Sequence, residues 1–279
     1  MTRVGKILIA AGLLLIPALW ISIHRIQGES LREIFSSEPK YQGHTFTYWM
    51  EHWNAYQPGA NSETEVALRT MGPEAIPYLV DWIKQPPNYG PGLSRPKWAL
   101  AVFKMLGPQA RAAVPDLVQA IGQNSSYPER ALVCIGRDAI PALTNRLIET
   151  LSDTNYPFID GEIRIDVRKT SRFYIRGCIL QILDAMDTNA EPAIPALVQT
   201  VLANRPWYRA AGLIGQSQDP YRILAEVGRN HPEIVLSTLE QKETQANLPV
   251  EERQYIERAK AGAGKHRTIA AALNLLAPP

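Results

Sequence analysis

MGPEAIPYLVDWI (71–83), LGPQARAAVPDLVQAI (106–121), IGRDAIPALTNRLI (135–148) and MDTNAEPAIPALVQTV (186–201) are four versions of one phrase. Each turns on a proline: Pro77, Pro115, Pro141 and Pro195. One position before stand Ile76, Val114, Ile140 and Ile194, and two after stand Leu79, Leu117, Leu143 and Leu197. Three after come Val80, Val118, Thr144 and Val198, and six after come Ile83, Ile121, Leu147 and Val201. That is the i, i+3, i+4, i+7 stripe of a helix with one buried face. Only Thr144 departs from it. Proline suits the first turn of such a helix, where its missing N–H removes no bond.

Working outward, a second apolar run precedes each phrase: VALRTM (66–71), WALAVFKML (98–106), ERALVCI (129–135) and RGCILQILDAM (176–186). Three of these runs stop at Gly72, Gly107 and Gly136, a residue that takes a left-handed C′ position at little cost. The fourth stops at Asp187, a weaker signal. Helix, glycine turn, proline-started helix, repeated, predicts an all-α chain organised as an α-solenoid of stacked pairs. One pair cannot bury its own stripe, so neighbours must complete the core. The anchor prolines are 38, 26 and 54 residues apart, which implies short units and one insertion.

The M/L-G-P-x-A…P-x-L-V phrases resemble bacterial HEAT repeats, particularly the HEAT-like type first named for phycobilisome lyases. The resemblance covers about 61–205. EPKYQGHTFTYWMEHW (38–53) is similar to a stem that often precedes such arrays in membrane-anchored or exported bacterial proteins. What the resemblance implies is an armadillo-like helical scaffold; HEAT-like phrases speak to fold and not to activity.

The 279 residues carry 46% apolar and 20% charged side chains, enough for a core and too balanced for a disordered chain. Two cysteines exclude a disulfide scaffold. Ile7 to Ile23 is a 17-residue run without a charge, spanning roughly 26 Å as a helix, near the lower limit for a bilayer. Lys6 and Arg25 flank it and Trp20 suits an interface. No small-residue cleavage site follows, so the expectation is an uncleaved signal anchor over 1–28. The alternative is a secreted, soluble form, which a mature chain starting near Glu29 would reveal. Arg3 and Lys6 keep the N-terminus cytoplasmic under the positive-inside bias, sending the helical part to the outer side. Beyond residue 28 there are 26 basic and 27 acidic residues. Nucleic acid is therefore not an expected partner.

Between anchor and array, 29–60 reads as a stem and capping helix. Trp49, Trp53 and Tyr56 fall on one helical face, which caps the first pair or, on a functional reading, offers an aromatic platform. The array (61–205) is interrupted by 152–171, where Asp160-Gly161 signals a turn and Ile163, Ile165 and Val167 alternate with charged residues, which predicts a small hairpin or an extended loop. The region 206–279 reads as diverged helical pairs. The first opens with an Asp cap and Pro220, around Gly228 and Pro232; the last covers 249–262 and 265–277.

No catalytic constellation follows from spacing. AGAGKHRT (261–268) lacks the first glycine and the hydroxyl residue of a phosphate loop, and reads as a hinge. Five histidines show no zinc spacing, and the hairpin carboxylates lack the EF-hand offsets. Cys134 and Cys178 sit in apolar runs as free thiols. No cofactor, metal or small-molecule substrate is implied. Arg168, Arg172 and Arg176 recur every four residues at the start of a helix, one stripe beside Lys169 and Arg164. The plain reading is a solvated face; the functional one is a docking patch for an acidic partner or anionic headgroups. The expectation is a membrane-anchored, non-catalytic scaffold for an unidentified protein partner. The rival is a HEAT-like enzyme of the bilin lyase or helical DNA glycosylase kind.

Overall fold

A computed structural model describes residues 36–53, 62–86, 94–123, 125–152, 158–159, 162–163, 172–203 and 219–245, with further helical positions between 250 and 260. The anchor segment 7–23, Tyr56, Arg168, the 261–268 stretch and the 265–277 helix lie outside these residues. Among the described residues no helix is long and apolar enough to cross a membrane. The chain is mostly helical and divides into two compact units, Met1–Ala75 and Ile76–Pro279.

In the first unit a ribbon of β1 (Lys40–Tyr41) and β2 (His44–Thr45) leads into α1 (Phe46–Glu51). Gln42 and Gly43 close the ribbon with φ of 49° and 83°, the two positive values that a two-residue hairpin turn uses. The start of α1 has its free N–H groups satisfied from outside. Thr45 Oγ1 accepts from Tyr48 N at 3.3 Å, and both Glu38 oxygens bind Thr47, accepting from its N–H at 2.8 Å and its hydroxyl at 2.9 Å. Phe46, Trp49, Met50 and Trp53 are all buried. The single helical face expected for the two indoles is not formed, because α1 ends at Glu51: Trp49 lies in the helix and Trp53 two residues past its end, and both are buried.

Helix α2 (Ser62–Ile83) belongs to both units and differs from expectation. Gly72 keeps a helical backbone, so the first phrase contains no turn. Glycine and proline permit a break without compelling one, because packing overrides propensity.

The other three phrases do turn. In the second unit α3 (Arg95–Leu106) and α4 (Val114–Gln119) flank a 3₁₀ turn, Gly107–Ala113. The next pair is α5 (Tyr127–Ile135) and α6 (Ile140–Thr150), around Gly136–Ala139. Then come α7 (Arg172–Met186) and α8 (Ile194–Ala203), around Asp187–Ala193. Last are α9 (Pro220–Val227) and α10 (Pro232–Glu243), around Gly228–Asn230. The Asp219 cap is as expected: its Oδ1 accepts the Tyr221 N–H at 2.9 Å.

All fifteen apolar positions of the repeated stripe are buried, and Thr144 is half-buried. The four prolines themselves face solvent. First helices touch first helices (α3 with α5, α5 with α7, α7 with α9), and second helices touch second helices (α4 with α6, α6 with α8, α8 with α10). The 107–113, 136–139 and 187–193 turns also touch in succession. This close approach has a signal that the stripe alone does not carry. Ala113, Ala139 and Ala193, each two residues before an anchor proline, are 0% exposed. Ion pairs run between successive pairs: Lys84 to Asp116 at 3.2 Å, Arg137 to Glu191 at 3.1 Å and Asp184 to Arg222 at 2.6 Å.

The turn glycines are not left-handed C′ caps. Gly107 has φ 54° and ψ −129°, and Gly136 has φ 75° and ψ −137°. That combination is close to the first central position of a II′ turn, which glycine adopts at little cost. Asp187 holds the matching place with φ 50°. Asp187→Gly therefore raises stability by about 0.5–1 kcal/mol. A Cβ on Gly136 would meet nothing within 4 Å, so Gly136→Ala isolates backbone strain and costs about 1–3 kcal/mol. Urea unfolding of the two variants checks both signs.

The expected hairpin is present between α6 and α7. Strands β3 (Phe158–Ile159) and β4 (Glu162–Ile163) pair antiparallel, with Phe158 opposite Ile163 and Ile159 opposite Glu162.

Candidate functional site

The arginine stripe does not survive as one exposed surface. Arg172 is exposed and donates to Ser152 Oγ at 2.7 Å. Arg176, one turn further along α7, is 1% exposed. Its guanidinium donates through Nε to Thr150 Oγ1 at 3.2 Å and through a terminal nitrogen to the Thr150 carbonyl. Thr150 is the last residue of α6, so Arg176 satisfies a carbonyl at the negative end of that helix. It is withdrawn from any docking patch, because burial against a helix end leaves it no access to a partner. The signal was its neighbourhood: Arg176 heads the apolar run 176–186, whereas Arg168 stands among Asp166, Lys169, Thr170 and Ser171.

A cleft of about 390 Å³ lies beside this helix, between α5, α7 and the Gly122 turn. Glu129 enters it from the first turn of α5; Tyr174, Cys178 and Gln181 enter from α7. Val133, Ile182 and Ala185 supply apolar wall. Gly122 has φ 75°, which turns its N–H onto Glu129 Oε1 at 2.9 Å. A Cβ at Gly122 would stand 3.1 Å from the Tyr174 ring. The other carboxylate oxygen, Glu129 Oε2, is buried and has no hydrogen-bond partner among the described residues.

Burial raises the Glu129 carboxyl above its ordinary value, against the lowering pull of the Gly122 N–H and its own N–H. The folded state thus holds this proton more tightly than the unfolded chain does. The resulting stability is full below the unfolded value and fades as pH rises through the folded one. Burial, aided by the Glu129 charge, pushes the Cys178 thiol up to about 11, with the bonded Tyr174 hydroxyl acting the other way. At neutral pH Cys178 is a thiol and not a thiolate nucleophile. Burial raises Cys134 as well, while Lys104 and Arg130 lower it. Both cysteines are free. Among the described residues no cluster of three or more His, Cys, Asp or Glu side chains is placed to hold a metal.

The cleft was not legible in the sequence. Glu129 is there only the first letter of the apolar run 129–135, and Cys178 a free thiol in an apolar run.

Compared with protein-family models, curated proteins and solved structures, the chain matches none.

Proposed function

We propose that this protein is a membrane-anchored scaffold whose second unit is an α-solenoid of HEAT-like pairs, presenting helical surface to another protein without catalysis. The observation that carries the reading is the double ladder of contacts, first helices on first helices and second on second. Such a ladder makes each pair a neighbour of the next, so the surface lengthens with every pair added. Three features add support. The repeated stripe is buried at every apolar position, the intervening turns approach one another through alanines, and ion pairs tie successive pairs together. The apolar 7–23 segment serves as the anchor in this reading. The N-terminus is cytoplasmic and the helical units lie on the outer side.

The reading predicts a one-sided contact. A photo-crosslinking residue is placed at exposed first-helix positions (Lys104, Arg130, Glu226) and at exposed second-helix positions (Gln119, Asn145, Glu240) in the full chain in its native membrane. One discrete protein adduct forms from one set and not from the other. Adducts from neither set, or equal diffuse labelling from both, overturn the scaffold function.

A further inference from the structure

Taking the scaffold reading as premise, we infer that the outward face of α3 and α5 docks an acidic segment of a partner protein on Lys97, Lys104 and Arg130. All three side chains are exposed. Lys97 and Lys104 stand seven residues apart on α3, two turns along one face and about 10 Å along the axis. Arg130 comes from α5, the helix packed against α3. Burial raises the Cys134 thiol while the Lys104 and Arg130 charges both lower it, so the two cations stand around that half-buried sulfur, one from each helix.

These three bases differ from others on the chain in having no counter-charge. Lys84, Arg137, Arg146, Arg222 and Lys260 each have a carboxylate oxygen within 3.2 Å. Lys97, Lys104 and Arg130 form no ion pair among the described residues. Helix α3 contains no acidic residue, and α5 contains only Glu129. One Glu129 oxygen takes the Gly122 N–H at 2.9 Å and the other is buried. A positive surface left open in this way steers a negative partner toward it and fixes the register of docking. Leu100, three residues after Lys97, and Val133, three after Arg130, are half-buried beside the bases. Apolar contact rimmed by charge is the make-up of a protein interface. Recruitment to anionic lipid takes a cluster of about four to eight bases, more than this face gathers.

The test places a photo-crosslinking residue at Leu100 of the full chain in its native membrane and identifies adducts by mass spectrometry. With the bases intact, one protein adduct forms, and its crosslinked segment is acidic. Lys97→Glu/Lys104→Glu/Arg130→Glu lowers the yield at least about tenfold. Arg111→Glu/Arg229→Glu/Arg253→Glu, a reversal of three exposed bases elsewhere, leaves it within about twofold. Salt at about 0.5 M also lowers the yield from the chain with its bases intact, a measurement that stands even if a variant fails to fold. A phospholipid adduct, an adduct to a second copy of this chain or a crosslinked segment without acidic residues overturns the inference. So does a yield that salt or a folded triple variant of the three docking bases leaves unchanged, or an equal loss from both reversals. Adducts only from the second-helix positions Gln119, Asn145 and Glu240 overturn it and leave the scaffold function standing, whereas no protein adduct from any position overturns both.

Discussion

Replacing Leu143 by alanine lowers the unfolding free energy by about 3–5 kcal/mol, while Thr144→Ala, one residue along, stays within about 0.5 kcal/mol. Leu143 is 0% exposed in α6, two positions after Pro141, in the stripe that meets α4 on one side and α8 on the other. Truncation there removes two methyl carbons and one methine, and it leaves a void that two neighbouring helices must share. Thr144 is half-buried, and its hydroxyl donates to the Pro141 carbonyl at 3.0 Å, a local bond that water replaces readily. Denaturant unfolding of the two variants, followed by far-ultraviolet circular dichroism, checks the contrast. Similar midpoints for both would mean that the α6 stripe is not the seam between pairs.

Arg176→Ala is the second large effect, at about 3–5 kcal/mol, set against less than about 1 kcal/mol for Arg172→Ala. The two residues are four apart on α7 and carry the same charge, yet only Arg176 is enclosed. Removing its guanidinium leaves the Thr150 carbonyl and hydroxyl without their donor at the end of α6 and opens a space the length of an arginine. Arg172 loses one exposed bond to Ser152. Unfolding midpoints and amide exchange over 147–152 report both parts. Equal effects from the two variants would return Arg176 to the exposed stripe.

These two cases show how far the letters reach. Around the prolines the apolar stripe is set by helix period and burial together, and a residue such as Leu117 has no alternative face to take. Asp219 is local chemistry, legible because the cap needs nothing from elsewhere. Arg176 was misjudged because spacing of four places residues on one face without saying what that face meets. Gly72 shows the same limit from the other side: it shares Gly-Pro with 107–108 but stays helical. The Glu129 cleft needed coordinates, since Glu129 and Cys178 lie on different helices and meet only through the packing of α5 on α7.

The alanine-tight turns carry an implication for how such a chain can change in length. The 107–113, 136–139 and 187–193 segments touch in succession although they are seven, four and seven residues long, so a difference of a few residues is absorbed within a turn. The 152–171 segment with its β-ribbon lies instead between pairs, after α6. In this chain the longer addition is carried at the end of a second helix, outside the turns.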